Sequence, residues 1–170
     1  MGIVVRNAVV GDLEDINRIY RYAVLHTTSS FDIEPPSMDD RYRWFLSHNN
    51  RYPVLVATYN KDVIGWGSLS QFAARPGYRF TVEDSIYIDP EYQRIGAGTL
   101  ILQHLVGSAK RFKYHNIIAV IAGDNEASIK LHRKMGFQTA GCIREAGYKF
   151  DRWLDVIYMQ YIIGGDDGDR

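Results

Sequence analysis

Gln93-Arg94-Ile95-Gly96-Ala97-Gly98 stands between Ser85-Ile86-Tyr87-Ile88 and Thr99-Leu100-Ile101-Leu102. The order reads as strand, glycine turn, helix. A helix N-terminus exposes unpaired N–H groups and the positive end of the helix dipole, which suits a phosphate. Glycine there lets backbone approach the phosphate closely or take positive φ. Spacing excludes two common phosphate loops. No Gly-x-x-x-x-Gly-Lys-Ser/Thr run is present. A dinucleotide fingerprint needs Gly or Ala three places after its second glycine, where this chain has Ile101. What remains, Gln/Arg-x-x-Gly-x-Gly/Ala, fits a phosphorylated ligand. Taken alone, it also fits a plain helix cap behind a tight turn.

Working outward, Phe80 to Ile88 alternates as a strand does. Phe80, Val82, Asp84, Ile86 and Ile88 take one face; Thr81, Glu83, Ser85 and Tyr87 take the other. Asp89-Pro90 ends it. A helix follows from Gly98 to about Lys110, with Leu102, Leu105 and Val106 inward. The unbroken apolar run Ile117 to Ala122 predicts a strand buried on both faces. Asn125 to Met135 reads as a helix closed by Gly136. Thr139 to Ile143 and Trp153 to Tyr161 read as the last strands, joined across Gly147 to Arg152. On the N-terminal side, Ile3 to Arg6 is a strand. Asp12 then caps a helix carrying Leu13, Ile16, Ile19, Tyr20, Ala23 and Val24 at helical spacing. His26 to Pro36 is a loop, and Ser37 caps a second helix to about Ser47. Val54 to Tyr59 and Val63 to Ser70 form a hairpin across Asn60 to Asp62. A loop from Ala73 to Tyr78 precedes the Glu83 strand.

A chain of 170 residues with 46 % hydrophobic content is one domain with room for a core. Lys plus Arg equal Asp plus Glu at 20 each, so no general field draws it to nucleic acid or an anionic membrane. The single cysteine, Cys142, excludes an internal disulfide and a paired-cysteine zinc site. It lies in an apolar strand and reads as a small core residue. The five histidines include no His-x-x-x-His pair, so no metal is expected. The apolar start, Met1 to Val5, is too short for a signal peptide or a membrane span, and a cytoplasmic protein is expected. No internal repeat or linker is visible. The expectation is a single mixed α/β domain over residues 1–163 and a disordered polar tail over 164–170.

With these elements in order, the chain resembles the Gcn5-related N-acetyltransferase superfamily. Ser85-Ile86-Tyr87-Ile88, Gln93 to Gly98, Asn125-Glu126-Ala127-Ser128 and Lys134-Met135-Gly136-Phe137 carry the likeness, and it covers nearly the whole chain. Within the superfamily it is most similar to the phosphinothricin and methionine-sulfoximine acetyltransferases. That likeness rests on Thr81 to Ile88, Ala127 to His132 and Gly147 to Val156. Phe31-Asp32-Ile33-Glu34-Pro35 resembles the family's early substrate loop more loosely. Phosphinothricin enzymes often carry Arg and Thr where Asp32 and Ile33 stand, which favours a sulfoximine-type substrate. The resemblance implies a central mixed, mostly antiparallel sheet, splayed at the cofactor site, with helices on both faces.

It also implies acetyl-CoA as cosubstrate and the positions that hold it. Backbone along Ile86, Tyr87 and Ile88 would pair with the pantetheine amides. Arg94, Ile95, Gly96, Ala97, Gly98 and Thr99 would cradle the pyrophosphate. Asn125 and Ser128, which share a helical stripe with His132, would reach the CoA arm. Ala73, Ala74, Arg75, Glu83, Asp84 and Ser85 would bind the amine substrate, with Arg75 on its carboxylate. Glu83 is the expected general base, its pKa raised by desolvation. The ordinary alternative for Glu83 is a solvated carboxylate or a structural ion pair. His132 could be a second base, an acid for the leaving thiolate, or structural. Tyr148, Lys149 and Trp153 would shape the pocket, across the interface of a homodimer. The expected activity is direct acetyl transfer to the amine of a small amino-acid analogue. The alternatives are a peptide or protein N-acetyltransferase and a CoA-binding sensor without turnover. No metal, nucleic-acid or membrane partner is expected.

Overall fold

The structure, a computed structural model, describes residues 2–164. The expected tail therefore lies, apart from Gly164, outside the described residues. The strands are β1 (Val4–Asn7), β2 (Val54–Tyr59), β3 (Asp62–Gln71), β4 (Thr81–Ile88), β5 (Asn116–Ala122), β6 (Gln138–Lys149) and β7 (Arg152–Ile162). They form one sheet in the order β1-β2-β3-β4-β5-β7-β6. Only β4 and β5 run parallel; the other neighbours are antiparallel. Four helices cover it: α1 (Leu13–His26), α2 (Met38–Leu46), α3 (Ala97–Arg111) and α4 (Glu126–Lys134). This is the mixed, mostly antiparallel sheet that the resemblance implies.

Strand periodicity sorts the core into two layers. Val54, Val56, Val63 and Trp66 face Leu13, Ile16 and Ile19 of α1. Their alternating neighbours Leu55, Ala57 and Ile64 face Ile101, Leu102 and Leu105 of α3. Strands β2 and β3 are thus buried on both faces, which explains their nearly continuous apolar sequences.

The caps follow sequence chemistry with one exception. Ser37 accepts from the Asp40 N–H at 3.1 Å, and the Asp40 carboxylate takes the Ser37 N–H at 3.3 Å, a capping box for α2. Asn125 caps α4 by accepting from the Ser128 N–H at 3.2 Å. Asp12 does not cap α1 through its side chain. A 3₁₀ turn over Val10–Asp12 precedes the helix, and the buried Asp12 carboxylate instead accepts from the Val9 N–H at 2.8 Å and from both terminal nitrogens of Arg6. Arg6 on β1 outcompetes the helix terminus for that carboxylate.

The C-terminal hairpin is longer than its sequence pattern predicts. Strands β6 and β7 meet at a two-residue turn, Phe150 (φ 52°) and Asp151 (φ 57°), in place of a connection over 147–152. Register shifts at Thr139/Gly141 and Ile143/Gly147 interrupt the alternation and conceal the strand. Because β6 is the outer strand, Cys142 is exposed rather than part of the core.

Candidate active site

Pairing between β4 and β5 begins at Thr81↔Asn116 and ends at Asp84↔Ala119. Beyond that point β4 stays bonded to β3 through Ile88, and β5 stays bonded to β7 through Ala122. The two strands part, and the β5-facing backbone edge of Ser85 to Ile88 is left without a strand partner. A cleft of about 590 Å³ opens there, walled by Glu83 to Ile88, by Ala119 to Ala122, and by the beginnings of α3 and α4. This is the splay that the resemblance implies.

The glycine turn opens into the same cleft. Gly96 is the N-cap of α3, with φ +97° and no side-chain cap, so the first-turn amides of the helix stay free. A residue bearing Cβ would be strained at that φ. Arg94, Gly96, Ala97, Gly98 and Thr99 line the cleft, as do Asn125 and Ser128 of the α4 terminus. Ile95 is exposed and does not line it. A free strand edge, an uncapped helix N-terminus and a cleft between them fit the amides and pyrophosphate of acetyl-CoA.

Two adjacent carboxylates on β4 point to opposite faces of the sheet. Asp84 faces α4 and is buried against His132, whose Nε2 lies 3.0 Å from Asp84 Oδ2. The other ring nitrogen, Nδ1, lies 2.8 Å from the Ser128 carbonyl oxygen. Burial alone would lower the His132 pKa, but the Asp84 carboxylate and the Ser128 carbonyl outweigh it and hold the imidazole above its ordinary value. Both ring nitrogens are engaged, so His132 offers none to a reacting group. The two contacts tie α4 to β4, the structural arrangement among the roles expected of His132.

Glu83 faces the side of α1. It is half-buried, lines the cleft, and has no cationic partner among the described residues. Burial, reinforced by the neighbouring Asp84 charge, raises its pKa. This is the environment expected of a general base.

The loop between α1 and α2 borders the cleft through Thr27, Ser29, Ser30, Phe31 and Asp32, and it is tied down from several elements. The Tyr20 hydroxyl bonds Ser30 Oγ at 2.8 Å and donates to Asp32 Oδ2 at 2.6 Å; burial and Asp32 push its pKa up to about 12. Lys149 donates from Nζ to the carbonyls of Thr27 (2.9 Å) and Ser30 (2.6 Å), and burial lowers its pKa. Gly147 stacks against Phe31 so closely that an added Cβ would lie 2.1 Å from Phe31 Cε1. The sequence reading placed Lys149 at the pocket across a dimer interface; the structure shows it holding the loop of its own chain, and the part played by Gly147 had no signal beyond its place in the Gly147 to Val156 run.

The structure does not bring Ala73, Ala74 and Arg75 to the cleft. Gln71 Nε2 holds the Ala73 carbonyl at 2.8 Å, and the 3₁₀ turn Pro76–Tyr78 begins directly after Arg75, which is exposed. Of the expected substrate residues, Glu83, Asp84 and Ser85 line the cleft, and Asp84 is engaged by His132. Among the described residues no group of three or more His, Cys, Asp or Glu side chains could hold a metal.

The chain matches the acetyltransferase (GNAT) family over residues 16–137. It is 37 % identical to the L-methionine sulfoximine/L-methionine sulfone acetyltransferase of Salmonella typhimurium, over 92 % of each chain. It is 34 % identical to the phosphinothricin N-acetyltransferase of Streptomyces coelicolor, over 92 % of this chain and 94 % of that one. A crystal structure of a GNAT superfamily phosphinothricin acetyltransferase from Sinorhizobium meliloti in complex with AcCoA superposes with a TM-score of 0.91. That alignment has 38 % identity and covers all of this chain and 93 % of that one. The chain belongs to the acetyltransferase (GNAT) family, and it is an N-acetyltransferase that uses acetyl-CoA.

The His132–Asp84 pair makes stability depend on pH. The folded pKa of His132 is raised, so its contribution is complete below the unfolded value of about 6.5 and is lost as pH rises through the raised value. Urea unfolding across this range is expected to show that decline, and Asp84→Asn to flatten it. Substituting Gly147→Val is expected to displace Phe31. It should destabilise the fold by roughly 1–3 kcal/mol and raise the KM for the amine, leaving acetyl-CoA affinity unchanged in calorimetric titration.

Proposed function

We propose that the protein acetylates the α-amine of a small amino-acid analogue of the methionine sulfoximine, methionine sulfone or phosphinothricin type. One observation carries the reading: the unpaired, desolvated Glu83 stands where β4 and β5 part, beside a cleft bordered by an anchored loop. The names of the relatives support the substrate class, and the Asp32-Ile33 pair favours the sulfoximine type. A peptide substrate needs an open groove. Here the ties from Tyr20 and Lys149 hold the loop in place beside Glu83.

Acetyl-CoA supplies the activated acetyl group. The backbone edge of Ser85 to Ile88 would pair with its pantetheine amides. Arg94 and the first amides of α3 would take the pyrophosphate, and Asn125 and Ser128 would border the arm. Glu83 accepts the proton that the ammonium must lose before the amine can attack. The raised pKa brings the base closer to that of the group it deprotonates. His132 and Asp84 position α4 against β4. Cys142 does not line the cleft, which favours direct transfer in a ternary complex over an acetyl-cysteine.

We also infer a homodimer through the C-terminal hairpin. Ile143 and Tyr148 of the outermost strand β6, Phe150 of the turn and Trp153 of β7 are each at least half exposed. Four large exposed apolar side chains on one hairpin mark an association surface. A cytoplasmic location goes with this reading; no helix among the described residues is long and apolar enough to cross a membrane.

Thiol release with methionine sulfone, methionine sulfoximine, phosphinothricin and short peptides tests the substrate class; turnover of peptides alone would overturn it. Glu83→Gln is expected to lower turnover by about 10²- to 10⁴-fold. The wild-type rate should rise with pH through the raised Glu83 pKa, and this limb should vanish in the variant. Light scattering should show a dimer for the wild type and a monomer for Trp153→Asp.

A further inference from the structure

Two residues of the loop between α1 and α2 bridge the gap where β4 and β5 have parted. Thr28 Oγ1 donates to Asp124 Oδ1 at 2.7 Å, just past the end of β5. Ser29 touches both sides of the gap. Its carbonyl accepts from the Tyr87 hydroxyl of β4 at 3.4 Å, and its Oγ accepts from Asn125 Nδ2, before α4, at 3.4 Å. Tyr87 emerges on the same face of β4 as Glu83. The bridge therefore crosses the gap on the Glu83 face, at the level of the unpartnered edge of Ser85 to Ile88. Ser29 and Tyr87 both line the cleft beneath it.

The two ends of this bridge are held more firmly than its crest. Lys149 and Ser30 are buried, and Lys149 Nζ holds the carbonyls of Thr27 and Ser30 on either side of the crest. Thr27 Oγ1 also donates to the Ala23 carbonyl at 2.8 Å. Between these feet, Thr28 and Ser29 reach the β5 side through side chains alone. The wall that receives them is fixed. The Gly123 N–H donates to the Asp155 carbonyl of β7 at 2.8 Å, and an added Cβ at Gly123 would lie 3.1 Å from Asp155 Cβ. Arg152 pairs with the second oxygen of Asp124 and steadies the carboxylate facing Thr28. Burial works against the Asp124 charge, but the bonds from Thr28 and Arg152 outweigh it and keep the carboxyl below its usual pKa. Exposed polar ties are each worth little. The crest is thus the part of the loop that opens at least cost.

We propose that Thr28 and Ser29 form a strap that closes the cleft over the pantetheine arm of acetyl-CoA, and that Asp124 is its latch, a positioning residue acting through Thr28. The proposal rests on the reading that places the arm along Ser85 to Ile88. An arm there is enclosed by β4, by β5 and, on the Glu83 face, by the strap. With the latch shut, the arm passes in and out end-on, along the strands. With the latch open, it also passes sideways through the gap. The strap thus governs how fast acetyl-CoA exchanges more than how tightly it is held. Product CoA leaves by the same route, so opening of the latch enters the turnover rate.

The test follows acetyl-CoA exchange with no amine present, by rapid mixing with labelled acetyl-CoA and by its displacement with excess unlabelled acetyl-CoA. Asp124→Ala and Thr28→Val are each expected to raise both the association and the dissociation rate, on the order of tenfold, while Kd changes far less than either. Thr28→Ser keeps the hydroxyl and should retain wild-type rates. The double variant should match either single one, since the two groups make one bond. Adenosine bisphosphate, the CoA fragment with phosphates but no pantetheine arm, should exchange alike in all of them. A rise in dissociation alone is an ordinary lost contact and overturns the strap, as do unchanged rates in folded variants. Should Asp124→Ala or Thr28→Val not fold, Arg152→Gln frees the Asp124 carboxylate and should raise both rates in the same way. Hydrogen exchange at the Ser85 to Ile88 amides checks the arm separately, and acetyl-CoA should slow it in the wild type. No slowing there overturns the placement of the arm and the strap with it. Slowing there, together with wild-type acetyl-CoA rates in the variants, overturns the strap alone.

Discussion

Strand β4 shares only four residue pairs with β5 before the two part, and the functional architecture follows from that divergence. Backbone N–H and C=O groups must be satisfied by strand, water or ligand. The unpartnered edge from Ser85 to Ile88 is therefore a template for an extended polar molecule. Both helices that follow the parted strands, α3 and α4, begin at the opening, so two sets of first-turn amides converge on it. Asp84 stands at the last paired position, and its bond to His132 fixes the helix beyond the gap to the strand before it.

Glu83 and Asp84 illustrate how a strand gives neighbouring identical charges different roles. Successive side chains emerge on opposite faces. Asp84 meets an imidazole in the core and serves as a structural anion. Glu83 meets no cation, loses water, and feels its neighbour's charge, so its proton is held more tightly. On the Glu83 side, Tyr20, Tyr87 and Trp66 form an aromatic wall against which the Arg41 guanidinium packs.

Much of the catalytic strand and the cofactor loop was legible in sequence because local rules govern them. Alternation along Phe80 to Ile88 assigned the faces of Glu83 and Asp84 correctly, and Gly96 occupies the left-handed position its type suggests. The wall of the cleft around Glu83 was not legible, because its contacts join residues distant in the chain. Arg41 lies on an amphipathic helix where an arginine ordinarily reads as solvated, and only packing against Trp66 and Tyr20 shows it buried. Lys149 and Gly147 sit in a strand whose bulges break the period. Arg75, whose place in the loop before β4 matches the family, is exposed beside the turn at Pro76. Cys142 looked internal because its neighbours are apolar, yet the strand is outermost.

The Lys149 ammonium holds carbonyls that precede it by 122 and 119 residues. Closing so long a loop of chain is entropically costly, and domains are synthesised from the N-terminus. During synthesis, the edge of β4 and the start of α3 leave the ribosome well before the C-terminal hairpin does. The acceptor loop has most of its local sequence by then but lacks its anchor. The anchor of the loop is therefore the last part of the cleft to be synthesised. A nascent chain carries the β4 edge and the α3 turn before it carries the lysine that anchors the loop.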